Sequence, residues 1–502
     1  MRLNILVGGS AGQGINKISQ IISRVLTSYG YYTFNYRDYQ SIIRGGHNFS
    51  ILCISDQEIE SNDEKVDFLI ALDQKTLYLH KDNLKENAVI LKSDDFLEFK
   101  KNINVALAGS LVKALGIPES YLIKEVKKYL NYVNSTDAAK KGYASQKEIY
   151  KLKKLNNKAE IISGSRAIAI GARNSKLDFY FAYPMTPATG VTSEICLMND
   201  KKLKFFQPEN EIAVANIALG ASFAGKKVMV GSSGGGVDLM GEAISMQGIS
   251  EIPLTVYLAS RPGPATGIPT YTSQSDLNLA LNIGHGEFTR IVAAPGDPIQ
   301  AIELTNQLIY LAEKYNSLSI ILSDKHLAES EYSVKLDYKK PLIFSKTYSN
   351  KINKKSSYET NKFGNSTEDK NQIIENVNKR LSKEKEIKNQ VNKFRTYDIY
   401  GNKNSKNLII GWGSTKGAII DAIKNIDAKF LQILYLNPFP EEIKKELSKS
   451  KKIIIIENNA TSQLAELIKQ KIQTNIDNKI LKYDGRPFFT DELNKKIKEI
   501  IK

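Results

Sequence analysis

Short apolar runs alternate with amphipathic stretches along this chain, and the alternation recurs in three blocks. Leu3-Asn4-Ile5-Leu6-Val7 is mostly apolar, Gly8-Gly9-Ser10-Ala11-Gly12-Gln13-Gly14 follows, and Ile15, Ile18, Ile21, Ile22 and Val25 then recur at helical spacing. That order predicts a buried strand, a tight turn and a helix packed along one face. Residues 66–72 and 88–91 predict further buried strands, and a lysine-rich stretch from Lys140 onward closes a first unit, residues 1–150. A second unit, residues 159–330, carries predicted strands at 179–183, 227–231 and 253–259 and a helix over 211–225. Residues 331–400 lose periodicity and read as a polar linker holding one amphipathic helix near 371–393. Residues 401–502 return to alternation, with strands at 407–411 and around Ile453-Ile454-Ile455-Ile456. The fold class is therefore α/β, three alternating strand–helix units expected to build parallel sheets with ligand loops at the C-terminal ends of strands.

Composition narrows the class. A chain of 502 residues with 42% hydrophobic and 25% charged residues is expected to be a multidomain globular protein. No apolar run reaches the length of a membrane span, and the N-terminus meets its first glycines too early for a signal peptide, so a cytoplasmic protein is expected. Cys53 and Cys196 stand far apart, too few for a disulfide framework or for a cysteine-ligated cluster on this chain. The net charge of +16 raises nucleic-acid binding as a reading. Only 11 of the 70 basic residues are arginine, and +7 of the excess falls in residues 331–400, where it reads as a solvated linker. Neither nucleic acid nor membrane is expected as a partner.

Candidate chemistry concentrates in the second unit. Tyr183-Pro184-Met185-Thr186-Pro187 follows a predicted strand, where open α/β sheets place their ligand loops. Two prolines around Thr186 hold one hydroxyl rigidly, which suits either substrate positioning or a stiff connection. Glu211 opens the nearly all-apolar helix Ile212-Ala213-Val214-Ala215-Asn216-Ile217-Ala218-Leu219. It is either an acid favoured by the helix dipole or a carboxyl facing a dry pocket and sharing a proton with a ligand. Arg261 is either a surface ion pair or a fork for a carboxylate. The turn from Gly8 to Gly14 either binds phosphate at the head of a helix or simply reverses the chain. Gly411-Trp412-Gly413 is expected to be a structural turn at a subunit interface.

The order of these blocks resembles the 2-oxoacid:ferredoxin oxidoreductases. Tyr183 to Pro187, Glu211, Glu251-Ile252-Pro253-Leu254, Ser260-Arg261-Pro262-Gly263-Pro264, Thr266-Gly267-Ile268-Pro269-Thr270, Gln274-Ser275-Asp276-Leu277 and His285-Gly286-Glu287-Phe288 resemble that family's thiamine-diphosphate pyrimidine-binding domain. Gly411 to Gly417, Asn437-Pro438-Phe439-Pro440 and Glu457 to Ala465 resemble its transketolase C-terminal-like domain, over 401–502. Gly12-Gln13-Gly14 and Arg44-Gly45-Gly46 are similar to its gamma-type α/β domain, over 1–150. The layout resembles an alpha subunit with a fused N-terminal gamma domain.

By that resemblance the chain takes part in CoA-dependent oxidative decarboxylation of a 2-oxoacid to acyl-CoA, carbon dioxide and reduced ferredoxin. Glu211 is implied to contact N1′ of the thiamine aminopyrimidine. Thr186 and Tyr183 are implied to line the substrate pocket, Arg261 to pair with the substrate carboxylate, and Ser233, Gly234, Gly12 and Gly14 to contact cofactors. One departure stands out, because Ser232-Ser233-Gly234-Gly235-Gly236 replaces the family's usual Ser-Gly-Pro-Gly and predicts a looser turn. With no metal site expected on this chain, a beta subunit is implied to bring Mg2+ and a [4Fe-4S] cluster and to share thiamine diphosphate at the interface. An alpha–beta heterodimer, or a dimer of it, working with ferredoxin is the expected assembly. Two other readings remain, a transketolase-like transferase subunit and a non-catalytic basic scaffold.

Overall fold

The structure, a computed structural model, describes all residues except 41–45, 131 and 346–353; Arg44 and Gly45 therefore lie outside the described residues. Three sheets form among the described residues, of seven, seven and five strands. The central one carries the candidate chemistry. Leu254–Ser260 and Leu318–Asp324 are buried at every position, as expected of parallel strands covered by helices on both faces. Val228–Ser232, Phe179–Phe181 and Lys204–Phe206 continue the parallel array on one side and Arg290–Ala293 on the other. Ile454, Ile455 and Ile456, the apolar run near the C-terminus, lie fully buried in the strand Lys452–Glu457 of the third sheet.

The first sheet departs from the parallel expectation. Arg2–Ser10, Val66–Ala71 and Leu84–Lys92 are parallel, but Tyr32–Asp38 and His47–Ser55 pair antiparallel. The connection between those two strands is too short for the crossover helix that parallel neighbours require. Glu331–Val334, at the head of the expected linker, is a strand that pairs with Tyr32–Asp38 and with Glu160–Ser163. Both ends of the second unit are thus stitched into the first sheet. In the same way Tyr435–Asn437, from the third unit, adds an antiparallel edge to the central sheet.

Buried ionic contacts cross the same seams. The Lys416 ammonium lies 2.7 Å from Glu60 of the first unit and 2.7 Å from Asp297 of the second. Arg2 of the first unit reaches Asp421 of the third at 3.0 Å. The helix Lys370–Val391 docks Ile387 and Val391 into the core beside the central sheet, and Lys379 and Lys383 pair with Glu251. No helix among the described residues is long and apolar enough to cross a membrane.

Candidate active site

At the C-terminal end of Val228–Ser232 the chain turns through Ser233 into the short helix Gly234–Leu239. The helix Glu211–Phe223 runs against this turn. Asn210 caps that helix, its side chain accepting from the Ala213 N–H at 2.9 Å, so the capping role does not fall to Glu211. Glu211 is instead 3% exposed, on the buried face that also carries Val214, Ala215, Ala218, Leu219 and Ser222. A dipole-favoured surface acid would lie in water. Among the described residues one hydrogen bond reaches its carboxylate, from Ser232 Oγ at 3.4 Å. A carboxylate offers about four acceptor positions, so this one is buried with most of its hydrogen-bonding capacity unused.

The glycines are there for proximity. A Cβ on Gly236 would meet the Ser232 hydroxyl and lie 2.6 Å from Glu211 Oε1, while one on Gly234 would lie 2.5 Å from Asp276 Oδ2. Gly235 is the roomy position, with only the Ala265 carbonyl near, at 3.9 Å. Ser233 Oγ is buried and has no hydrogen-bond partner among the described residues.

Arg261 sits at the C-terminal end of Leu254–Ser260, and its guanidinium donates to the Thr186 carbonyl at 2.8 Å. Burial lowers its pKa, while the charges of Asp276 and Glu211 oppose that shift; an arginine stays cationic through such a change. Arg261, Thr186, Glu211 and the Ser232–Gly236 turn therefore gather at one end of the central sheet. Met185 joins them, its sulfur 3.7 Å from Ser232 Oγ. Tyr183 is 38% exposed and no hydrogen bond or ring contact among the described residues ties it to this group. Ser232 and Asp276 belong to the cluster as well; both stand inside motif blocks, residues 232–236 and 274–277, in which the sequence alone assigned them no role.

Gly12 and Gly14 are elsewhere. They line a cavity of about 760 Å³ beside the first sheet, with Lys17, Lys100, Lys101 and Tyr132. Both have positive φ, 94° and 75°, conformations that glycine adopts without strain. Gln13 folds back to accept from the Ser10 N–H at 2.8 Å, and Asn104 donates to the Gln13 carbonyl at 3.0 Å.

Residues 170–395 match the family described as pyruvate flavodoxin/ferredoxin oxidoreductase, thiamine diphosphate-binding, and residues 4–133 match that described as pyruvate ferredoxin/flavodoxin oxidoreductase. A 2-oxoacid:ferredoxin oxidoreductase alpha subunit from a Sulfolobus species is 30% identical, covering 100% of this chain and 97% of its own length. The chain belongs to the 2-oxoacid:ferredoxin oxidoreductases, as an alpha subunit. The corresponding subunit 1 of Sulfurisphaera tokodaii is also 30% identical, over 100% of this chain and 98% of that one. Among solved structures, a 2-oxoglutarate:ferredoxin oxidoreductase from Magnetococcus marinus with 2-oxoglutarate, coenzyme A and succinyl-CoA bound superimposes over the full length of both chains, with a TM-score of 0.90 at 25% identity.

Within this family of oxidoreductases the site suits thiamine diphosphate on its own chemistry. An under-used buried carboxylate and the unpartnered Ser233 hydroxyl face a turn stripped of side chains, and each calls for a polar group. The Gly411-Trp412-Gly413 turn, expected at a subunit interface, packs inside the chain: Gln274 Nε2 donates to the Trp412 carbonyl at 2.8 Å and Gln274 Oε1 accepts from the Asn458 N–H at 2.8 Å.

Proposed function

We propose that Glu211, Arg261 and Thr186 are the working groups of this alpha subunit in oxidative decarboxylation of a 2-oxoacid. The observation that carries the reading is the buried Glu211 carboxylate with, among the described residues, one hydrogen bond at 3.4 Å. Thiamine diphosphate, when bound, supplies the nucleophile for the 2-oxoacid carbonyl and the electron sink for loss of carbon dioxide. Glu211 Oε would hold a proton against N1′ of the aminopyrimidine, and burial keeps water from competing for it. Ser233 and the backbone at Gly234 would lie along the cofactor. Arg261 would receive the substrate carboxylate, steadied from behind by the Thr186 carbonyl. Tyr183, being more exposed, would meet substrate only at the rim.

The cavity at Gly12 and Gly14 would take a phosphate of coenzyme A, with Lys17, Lys100 and Lys101 as counter-charge. Two cysteines in the whole chain cannot ligate a four-cysteine cluster. A beta subunit would therefore carry the [4Fe-4S] centre and the Mg2+ that binds the cofactor diphosphate, and would pass electrons to ferredoxin from an alpha–beta assembly. Reconstituted complex should reduce a viologen dye only with a 2-oxoacid and coenzyme A together. Turnover that needs a ketose donor and no electron acceptor would favour the transketolase-like alternative. In Arg261→Ala the KM for the 2-oxoacid should rise on the order of 30-fold or more, the loss of about 2–5 kcal/mol when one partner of a buried charge pair is truncated.

A further inference from the structure

An aspartate just ahead of a helix ordinarily caps it. Asp276 precedes the helix Leu277–Asn282 and makes no such capping bond. Its carboxylate turns the other way, to the end of the neighbouring strand, where Ser260 Oγ donates to Asp276 Oδ2 at 2.8 Å. Ser260 is the residue before Arg261. The same carboxylate lies against the glycine turn, since a Cβ on Gly234 would stand 2.5 Å from Oδ2 and 3.0 Å from Oδ1. One side chain thus touches both halves of the site.

Its relation to Arg261 is at a distance. No ion pair within 4 Å involves Arg261 among the described residues, and its one hydrogen bond runs to the Thr186 carbonyl. A carboxylate in direct contact would fill the guanidinium fork and leave nothing for a ligand. Asp276 acts on Arg261 as a charge from outside the fork, and it leads the interactions that offset the burial of that cation. Most of the five guanidinium N–H donors stay available for a second, planar anion.

We propose that Asp276 is the positioning residue for Arg261, fixing through Ser260 the strand end that carries the guanidinium and supplying its counter-charge without occupying the fork. This rests on the assignment of Arg261 to the carboxylate of the 2-oxoacid. The two readings of a nearby negative charge differ in sign. A bystander carboxylate repels an incoming anion, so its removal lowers KM; a positioning carboxylate holds the receptor in place, so its removal raises KM.

The test uses the complete complex with pyruvate and with 2-oxoglutarate, taking whichever the unaltered complex turns over faster. Asp276→Asn keeps the shape and can still accept from Ser260, whereas Ser260→Ala deletes the hydrogen bond and leaves the charge. Each should raise the KM for the 2-oxoacid by roughly 3- to 10-fold, in the range of one lost buried hydrogen bond. kcat and the KM for coenzyme A should stay within about twofold, a split that removal of binding alone produces. In an Arg261→Ala background neither change should raise KM further, because residues acting through one group are not additive. An unchanged or lowered KM in both single variants, with Arg261→Ala still impaired, would overturn the positioning role and leave the Arg261 assignment standing. Full additivity with Arg261→Ala would overturn it as well. An unchanged KM in Arg261→Ala itself would remove the carboxylate assignment and this proposal with it.

Discussion

Residues 8–14 and 232–236 are both glycine-rich turns between a buried strand and a helix, and Gly12 in the first and Gly236 in the second sit in opposite surroundings. At Gly12 no atom of the described residues beyond its chain neighbours lies within 4 Å of a built Cβ, and the turn opens on a cavity of about 760 Å³ whose lining includes Lys17, Lys100 and Lys101. At Gly234 and Gly236 the same construction meets the carboxylates of Asp276 and Glu211. Gly12 and Gly14 in the first turn have φ of 94° and 75°, which glycine adopts without strain, and a Cβ on Gly14 would also lie 2.6 Å from Asn104 Nδ2. The second uses glycine for closeness, with helical backbone and no room beside it. One motif therefore serves two ends, a chain reversal beside an open cavity and a crowded seat for an acid.

Placing a methyl group in the crowded turn tests the contrast most severely. Gly236→Ala should displace the Glu211 carboxylate and lower kcat on the order of 100-fold, the usual scale for an ångström of misplacement at a reacting group. Overpacking should cost about 1–3 kcal/mol of stability, read from denaturant unfolding. Full activity in Gly236→Ala would show that Glu211 has slack. At the open turn, the double change Lys100→Ala with Lys101→Ala should raise the KM for coenzyme A on the order of 10-fold and leave that for the 2-oxoacid alone, since charge near a phosphate acts on binding. A rise in both constants would blur the division between the two sites. Gly12→Ala meets no obstacle among the described residues, so its cost should be conformational, about 1–2 kcal/mol. The smallest effect is expected at Gly235, the position where the family's usual pattern has proline. A proline there fits a first helical turn and lies near only the Ala265 carbonyl. Gly235→Pro should stabilise the chain by about 0.4–1 kcal/mol through its unfolded state, with kcat unchanged. Destabilisation would mean that the turn needs its looseness.

The division between what was and was not legible in the chain follows sequence distance. The helix Glu211–Phe223 and the strands Val228–Ser232, Leu254–Ser260 and Asn407–Trp412 fall where apolar periodicity put them, because each is decided by its own residues. The strand Glu331–Val334 was hidden, since what makes it a strand is its pairing with Tyr32–Asp38, some 300 residues earlier. The Lys416 staple was hidden for the same reason, its partners Glu60 and Asp297 lying 356 and 119 residues away. At the site, motif order singled out Glu211, Thr186 and Arg261, which the fold brings together. It read Gly12 and Gly14 in the first unit and Ser233 and Gly234 in the second, and in the fold the two pairs lie beside different sheets. Asp276 stood inside the motif block Gln274-Ser275-Asp276-Leu277 without a role, and only the fold shows it turned toward Ser260. Local patterns announce elements and motifs; which of several glycine turns meets which acid is decided by tertiary approach.

The central claim is that Glu211 is buried to hold a proton for the cofactor rather than to serve its helix. Asn210 already caps that helix, so Glu211→Gln should cost little stability. The amide keeps the shape and cannot share the proton. The direct measurement is exchange of the thiamine C2 proton for deuterium in the reconstituted complex, followed by quenched-flow NMR. Exchange should slow on the order of 100-fold or more in Glu211→Gln, within the range for a lost acid–base group. Exchange at the unaltered rate, with cofactor fully bound, would contradict the account.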